Sequence, residues 1–147
     1  MQLPHNVTVY NLETTTDPAT LDDAVINHIT ILRGVLLDAT KGVNVNQSGL
    51  VGADAVTLHI PQNVTAVDGV TGLEKAFAGA MEFWAAADKS RLWTLSADQR
   101  TFFVKGEVVE PTATEEYINL AHDGVYTVTK VDEKDFGGLP HWEVGGA

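Results

Sequence analysis

The chain contains no cysteine. That absence excludes disulfides, thiolate nucleophiles and cysteine-ligated zinc or iron–sulfur centres together. Basic residues are scarce: nine lysines and arginines stand against twenty aspartates and glutamates, a formal net charge of −11 over 147 residues. Such a surface repels phosphates instead of releasing counterions from them, so tight DNA or RNA binding is not expected. The charge serves solubility, or a surface over which DNA slides without sticking. No stretch approaches the roughly 18 uninterrupted apolar residues needed to cross a bilayer. The N-terminal residues MQLPHNVTVYNLETTT lack a basic segment followed by an apolar run. Neither an export signal nor a membrane span is therefore expected, a cytoplasmic assembly fits, and the N-x-S/T matches at Asn6, Asn46 and Asn63 carry no glycosylation meaning.

What is present reads as one globular domain. The chain is 44% hydrophobic and 20% charged, far from the composition of disordered chains. Asn6 to Tyr10 alternates polar and apolar, giving a strand at about 5–11. Asp17-Pro18 has the form of a short helix start, with Leu21 and Val25 as its apolar positions. The β-branched run from Val25 to Leu37 is a strand, bent or bulged at Gly34. Lys41 to Gly52 reads as a glycine- and asparagine-rich loop, and Ala53 to Ile60 as a strand closed by Pro61. Residues 62–72 read as loop, with Val64 to Val67 able to add a short strand.

Thr71-Gly72-Leu73-Glu74 has the form of a capping box, and Leu73, Phe77, Ala80, Met81 and Trp84 recur at helical spacing, so the pattern predicts a helix over 72–87. Gly79 inside it costs about 1 kcal/mol relative to alanine, which makes the helix depend on packing or a partner. A hairpin of 92–95 with 101–109 follows, turning at Ser96 to Arg100. Thr112 and Glu115 suggest a second capping box and a short helix burying Tyr117, Ile118 and Leu120, ended at Gly124. Strands at 125–131 and 140–144 complete a mainly β domain: a small barrel or sandwich of about seven strands with two or three short helices inserted.

Catalytic constellations are not visible. The five histidines (His5, His28, His59, His122 and His141) never fall three or four apart, so no local helical metal pair exists; any metal site would have to be assembled nonlocally. His59 and His141 are expected to pack or to hydrogen-bond. The acidic pairs Asp22-Asp23, Glu115-Glu116 and Asp132-Glu133 read as solvated faces, and none of Ser48, Ser90 or Ser96 lies in a G-x-S-x-G elbow. Glycine-rich phosphate cradles are absent too. A non-enzymatic chain without cofactor or metal is the expectation.

Three segments, taken in order, carry a resemblance. They are Gly49-Leu50-Val51-Gly52-Ala53-Asp54-Ala55-Val56-Thr57-Leu58-His59-Ile60-Pro61, then Trp93-Thr94-Leu95-Ser96-Ala97-Asp98 running into Phe103-Val104-Lys105-Gly106-Glu107-Val108, and Leu139-Pro140-His141-Trp142-Glu143-Val144. The set is similar to small minor structural proteins of siphophages and prophages of Gram-positive bacteria, of the head-closure or stopper type. Over residues 1–11 and 29–147 the likeness is loose, and it departs from the pattern at 73–88 and between Glu13 and Val25.

The resemblance implies a small β-barrel in a homo-oligomeric ring, hexamer or dodecamer, in the virion neck. Its partners would be the portal-bound adaptor and the tail, with packaged DNA passing unbound and no membrane involved. It brings no catalytic residues. Residues 61–72 and the helix after them are the segment expected to face the channel or the next ring, with Val64, Val67, Asp68, Leu73, Phe77, Met81 and Trp84 as the contact candidates. Other structural readings are a tail terminator or completion factor and a capsid-decorating protein. A carbohydrate-binding β-module would instead present Trp84, Trp93 or Trp142 as stacking platforms.

Overall fold

A computed structural model describes residues 3–39, 56–135 and 138–147. The predicted loop at 41–52, the start of the strand at 53–55 and most of the first resembling segment lie outside them. Among the described residues, nine strands and two helices follow in chain order: β1 (His5–Thr16), β2 (Asp23–Asp38), β3 (Val56–Pro61), β4 (Thr65–Asp68), β5 (Ala76–Phe77), α1 (Ala80–Ala85), β6 (Leu92–Trp93), β7 (Thr101–Lys105), α2 (Glu115–Ala121), β8 (Val125–Lys134) and β9 (His141–Gly146). The mainly β reading stands. No helix among the described residues is long and apolar enough to cross a membrane.

Seven strands form one antiparallel sheet in the order β1-β7-β8-β9-β3-β2-β4, and β1 also pairs with β2. The pairing therefore runs in a closed circuit of six strands, with β4 attached outside it along β2. Closure needs bent strands, and two bulges supply them. His5 opposes Val35 while Asn6 opposes Arg33, so Gly34, at φ 86°, is the extra residue in β2, where the sequence places a bulge. The second lies at Thr129 in β8, between the Val128 and Lys130 pairings.

Alternation fixes the inner face. Val7, Val9, Leu32, Val35, Leu58, Ile60, Phe103, Val128 and Val144 point into the main core, joined by Trp93, Leu95 and Trp142. A smaller core of Tyr10, Ile29, Phe102, Val104 and Ile118 lies on the opposite face of β1 and β7, where α2 covers it. Tyr10 stacks on Phe102 at 4.7 Å and donates its hydroxyl to the Val108 carbonyl at 2.6 Å, while the Tyr10 hydroxyl oxygen accepts from Glu110 N. Burial, opposed by the Glu110 N–H bond and helped by the Glu110 charge, pushes the phenol up to about 12. A raised folded-state value favours the neutral phenol, so this stability is present below the unfolded value near ~10 and lost as pH rises through the folded one. Tyr10→Phe is expected to lower stability at neutral pH and to remove that part of the alkaline decline, read from urea titrations at increasing pH.

Several predicted elements take another form. The helix expected over 72–87 is confined to Ala80–Ala85. Gly72 sits at φ 75°, Lys75 N donates to Ala66 O, Ala76 N to Arg91 O and Ala78 N to Trp93 O, so the amides that would have built a first helical turn are taken by neighbouring segments. Thr71 accepts from Leu73 N in a local turn instead of capping a helix, and Gly79 is the N-cap. The hairpin of 92–95 with 101–109 does not form: β6 pairs in parallel with β5, because β1 already occupies the edge of β7. The second helix is capped by Thr114, whose hydroxyl accepts from Tyr117 N, and not by Thr112; it buries Ile118 alone, leaving Tyr117 and Leu120 exposed. Finally, Asp17-Pro18 starts no helix. Asp17 accepts from Ala19 N and Leu21 N donates to Asp17 O, making a tight turn between β1 and β2.

Candidate functional site

The turn at Asp17 caps a long two-stranded ribbon. Beyond the barrel, Glu13 opposes Ile26, Thr14 opposes Val25, Thr15 opposes Ala24 and Thr16 opposes Asp23. Every residue from 14 to 26 is exposed, including Leu21 at 76%, Val25 at 60% and Ile26 at 43%. A two-stranded ribbon alone in water is marginally stable, and apolar side chains on such a ribbon are usually covered by something else. Residues 13–26 also hold four carboxylates, Glu13, Asp17, Asp22 and Asp23, and no lysine or arginine. It is an acidic arm with apolar positions along it.

At its root the arm is held by a polar network. Glu13 Oε1 lies 3.0 Å from His28 Nε2 and its Oε2 lies 3.1 Å from Lys89 Nζ. The His28 hydrogen bond, against an opposing cost of burial and with help from Lys89, holds the Glu13 carboxyl below the usual range. Asn27 Nδ2 donates to the Glu110 and Ala113 carbonyls, and Leu12 N donates to Arg100 O. The His28 ring meets Phe83 of α1 edge-on at 5.8 Å.

Glu13, His28 and Lys89 form one wall of a cavity of about 440 Å³, and Asp68 and Lys75 form another. Its cations are already engaged. Lys75 Nζ donates to Ile29 O at 3.0 Å and Thr30 Oγ1 at 3.1 Å and pairs with Asp68 Oδ1 at 2.9 Å, which uses all three ammonium donors. Lys89 Nζ donates to Ala86 O and pairs with Glu13. Groups tied in this way hold neighbouring segments together.

The residues singled out from the sequence divide between surface and interior. Met81 is 90% exposed and Leu73 52%, so both are available for contact. Val64 and Phe77 pack on the main core, Phe77 lying 4.4 Å from Trp142 and 5.1 Å from Trp93. Val67 lies in β4 opposite Ile31, and residues 65–68 are a paired strand, the short strand that the sequence allowed at Val64 to Val67. Asp68 accepts from Val70 N and Thr71 N as well as from Lys75. Trp84 is half-buried with the Arg100 guanidinium 4.1 Å above its ring. Trp93 and Trp142 are 1% and 7% exposed, which leaves neither as the stacking platform a carbohydrate module requires.

Sequence reasoning missed the arm. Leu21, Val25 and Ile26 resemble the apolar positions of a helix or a buried strand, and the polar residues between them resemble a loop. The one available signal was the threonine run Thr14-Thr15-Thr16, β-favouring but read as part of a connection. Residues 3–147 match a sequence-family model described as a family of unknown function (DUF6751). No curated protein and no solved structure matches the chain.

Proposed function

Because this chain belongs to the DUF6751 family, whose function is unknown, its role has to be read from its own surface, and we propose that it is a non-enzymatic ring subunit of a tailed-phage neck, of the stopper or head-closure type. The observation that carries this reading is the exposed ribbon of residues 14–26 standing on a clamped root. A closed barrel offers few unpaired edges, so identical copies need a projecting element to join them head to tail. The occupant proposed for the arm is the neighbouring copy of this chain, which would cover Leu21, Val25 and Ile26 and complete the sheet around them.

Two further features support it. The net charge of −11 suits a channel wall past which DNA moves without adhering. The three sequence segments resembling neck proteins contain β3 and parts of β6, β7 and β9, and β3, β7 and β9 are strands of the barrel circuit. In this reading the ring, a hexamer or dodecamer, sits between the portal-bound adaptor and the tail.

The test joins Glu13 to Ile26 through Asn-Gly in place of residues 14–25, since those two positions already face each other and a two-residue turn preserves their register. The shortened protein is expected to keep the far-UV spectrum and melting behaviour of the barrel. In a phage lacking the gene, the full-length copy should restore tailed particles, with label at the neck under the electron microscope. The shortened copy should yield tailless heads that lose DNA. Normal titre from the shortened copy, or label away from the neck, would remove this function.

A further inference from the structure

His59 and His141 were expected only to pack or to hydrogen-bond, and the proposed ring makes no use of them or of Glu143. The register of β3 and β9 brings them together. His59 lies directly opposite Glu143, and His141 lies opposite Pro61. Leu58, Ile60, Trp142 and Val144 alternate with them and fill the core, so His59, His141 and Glu143 share the outer face of the barrel, each half-buried. One ligand atom from each falls within 4.8 Å of the other two.

The geometry points to a binding site for a divalent first-row transition metal of the zinc class, held by His59, His141 and Glu143. Two imidazoles and one carboxylate form a nitrogen-rich set that suits zinc, cobalt or nickel and disfavours magnesium and calcium, which take oxygen donors. The His141 ring is already oriented as a ligand, because its Nδ1 lies 2.9 Å from the Leu139 carbonyl oxygen. A ring that donates Nδ1–H to a carbonyl carries its lone pair on Nε2, the arrangement in which metal-binding histidines are usually held. The His59 and His141 rings have centroids 6.0 Å apart. Ligand atoms around zinc sit about 3.3 Å from one another at bond lengths near ~2.0 Å, so small side-chain rotations bring the three from the observed spread into place.

Three protein ligands leave at least one position open to solvent or to another molecule. From β8, Asp132 stands across from Glu143 and Lys134 across from His141, while Leu36 of β2 stands across from His59. Asp132 favours a cation on this face and Lys134 opposes one. Because β3 and β9 are neighbours in the barrel circuit, the metal would clasp two strands far apart in sequence.

The experiment uses the full chain without a histidine tag, stripped with chelator and titrated with Co2+ followed by competition with Zn2+. One Co2+ per chain with the visible bands of low-symmetry nitrogen and oxygen coordination is expected, displaced by Zn2+ and unaffected by excess Mg2+. Zn2+ should raise the melting temperature of the wild type and leave that of a His59→Gln/His141→Gln variant unchanged. Each single histidine replacement should weaken binding beyond the 10–100-fold typical of outer-sphere changes, and Glu143→Gln by about tenfold or more. Absence of the cobalt bands, or equal binding by the double variant whose far-UV spectrum confirms folding, would overturn the assignment; the latter places the metal elsewhere.

Discussion

Replacing Asp68 by alanine is expected to lower the unfolding free energy by roughly 3–5 kcal/mol, the range typical of stranding one member of a buried ion pair. For a domain of this size that corresponds to a fall in melting temperature of roughly 6–20 °C. The partner left behind is Lys75, whose side chain is 1% exposed against 15% for Asp68. The change also frees Val70 N and Thr71 N, which donate to Asp68 Oδ2 at 2.9 and 2.8 Å. A second variant separates the two losses: with Lys75→Met added, the stranded ammonium disappears and a substantial part of the stability should return. Urea titration of both proteins is the measurement. A cost below about 1 kcal/mol for Asp68→Ala would show that the pair is solvated in solution.

The same pair carries a pH dependence. Burial pushes the Asp68 carboxyl up, but the bonds from Thr71 N, Lys75 and Val70 N outweigh it and the net shift is downward. A depressed folded-state value means stability that is present above the unfolded value of about 3.9 and lost as pH falls through the folded one. Lys75 is shifted downward as well, burial outweighing the attraction of Asp68. Its deprotonation is thus easier in the folded protein, and its cost to folding is relieved as pH approaches the unfolded value near ~10.

The second large effect is expected at Trp93. Trp93→Ala should cost about 3–5 kcal/mol, the range for removing a fully buried aromatic ring. Trp93 meets Phe77 edge-on at 5.1 Å and Trp142 edge-on at 5.8 Å, and the latter two lie 4.4 Å apart, so one truncation unpacks a cluster drawn from β5, β6 and β9. Met81→Ser supplies the contrast: at 90% exposure it should change stability by no more than about 0.5 kcal/mol. If Trp93→Ala melted within about 2 °C of the wild type, the cluster would contribute little to holding β5 and β6 against the barrel.

These two sites also show what the amino-acid order discloses. Gly34 amid β-branched neighbours identifies a bulge because a side chain there would strain the positive φ that the bend requires. Pro61 closes β3 because it has no amide to extend the ladder. Such local rules act within a few residues, and they work. The helix expected at 72–87 fails because Lys75, Ala76 and Ala78 find better backbone partners in Ala66, Arg91 and Trp93, which periodicity does not register. The Lys75–Asp68 pair is likewise hidden, since a lysine in a helical pattern reads as solvent-facing. The set of His59, His141 and Glu143 requires the β3–β9 register, which follows only from closure of the whole circuit.

That closure also bears on how the subunit is made. Thr8 Oγ1 donates to Gly106 O across 98 residues of chain and accepts from Val108 N across 100. Domains dominated by such distant pairings fold in milliseconds to seconds, whereas a hairpin forms in about 1–10 μs. The β1–β2 arm is therefore able to form long before the barrel that carries it. Its root acquires Lys89, Glu110 and Ala113 only when the distant strands arrive. If the arm joins copies as proposed, barrel completion would act as a clock on assembly: an arm meeting another copy too early would do so without a fixed direction, and the slow step would decide when it can point.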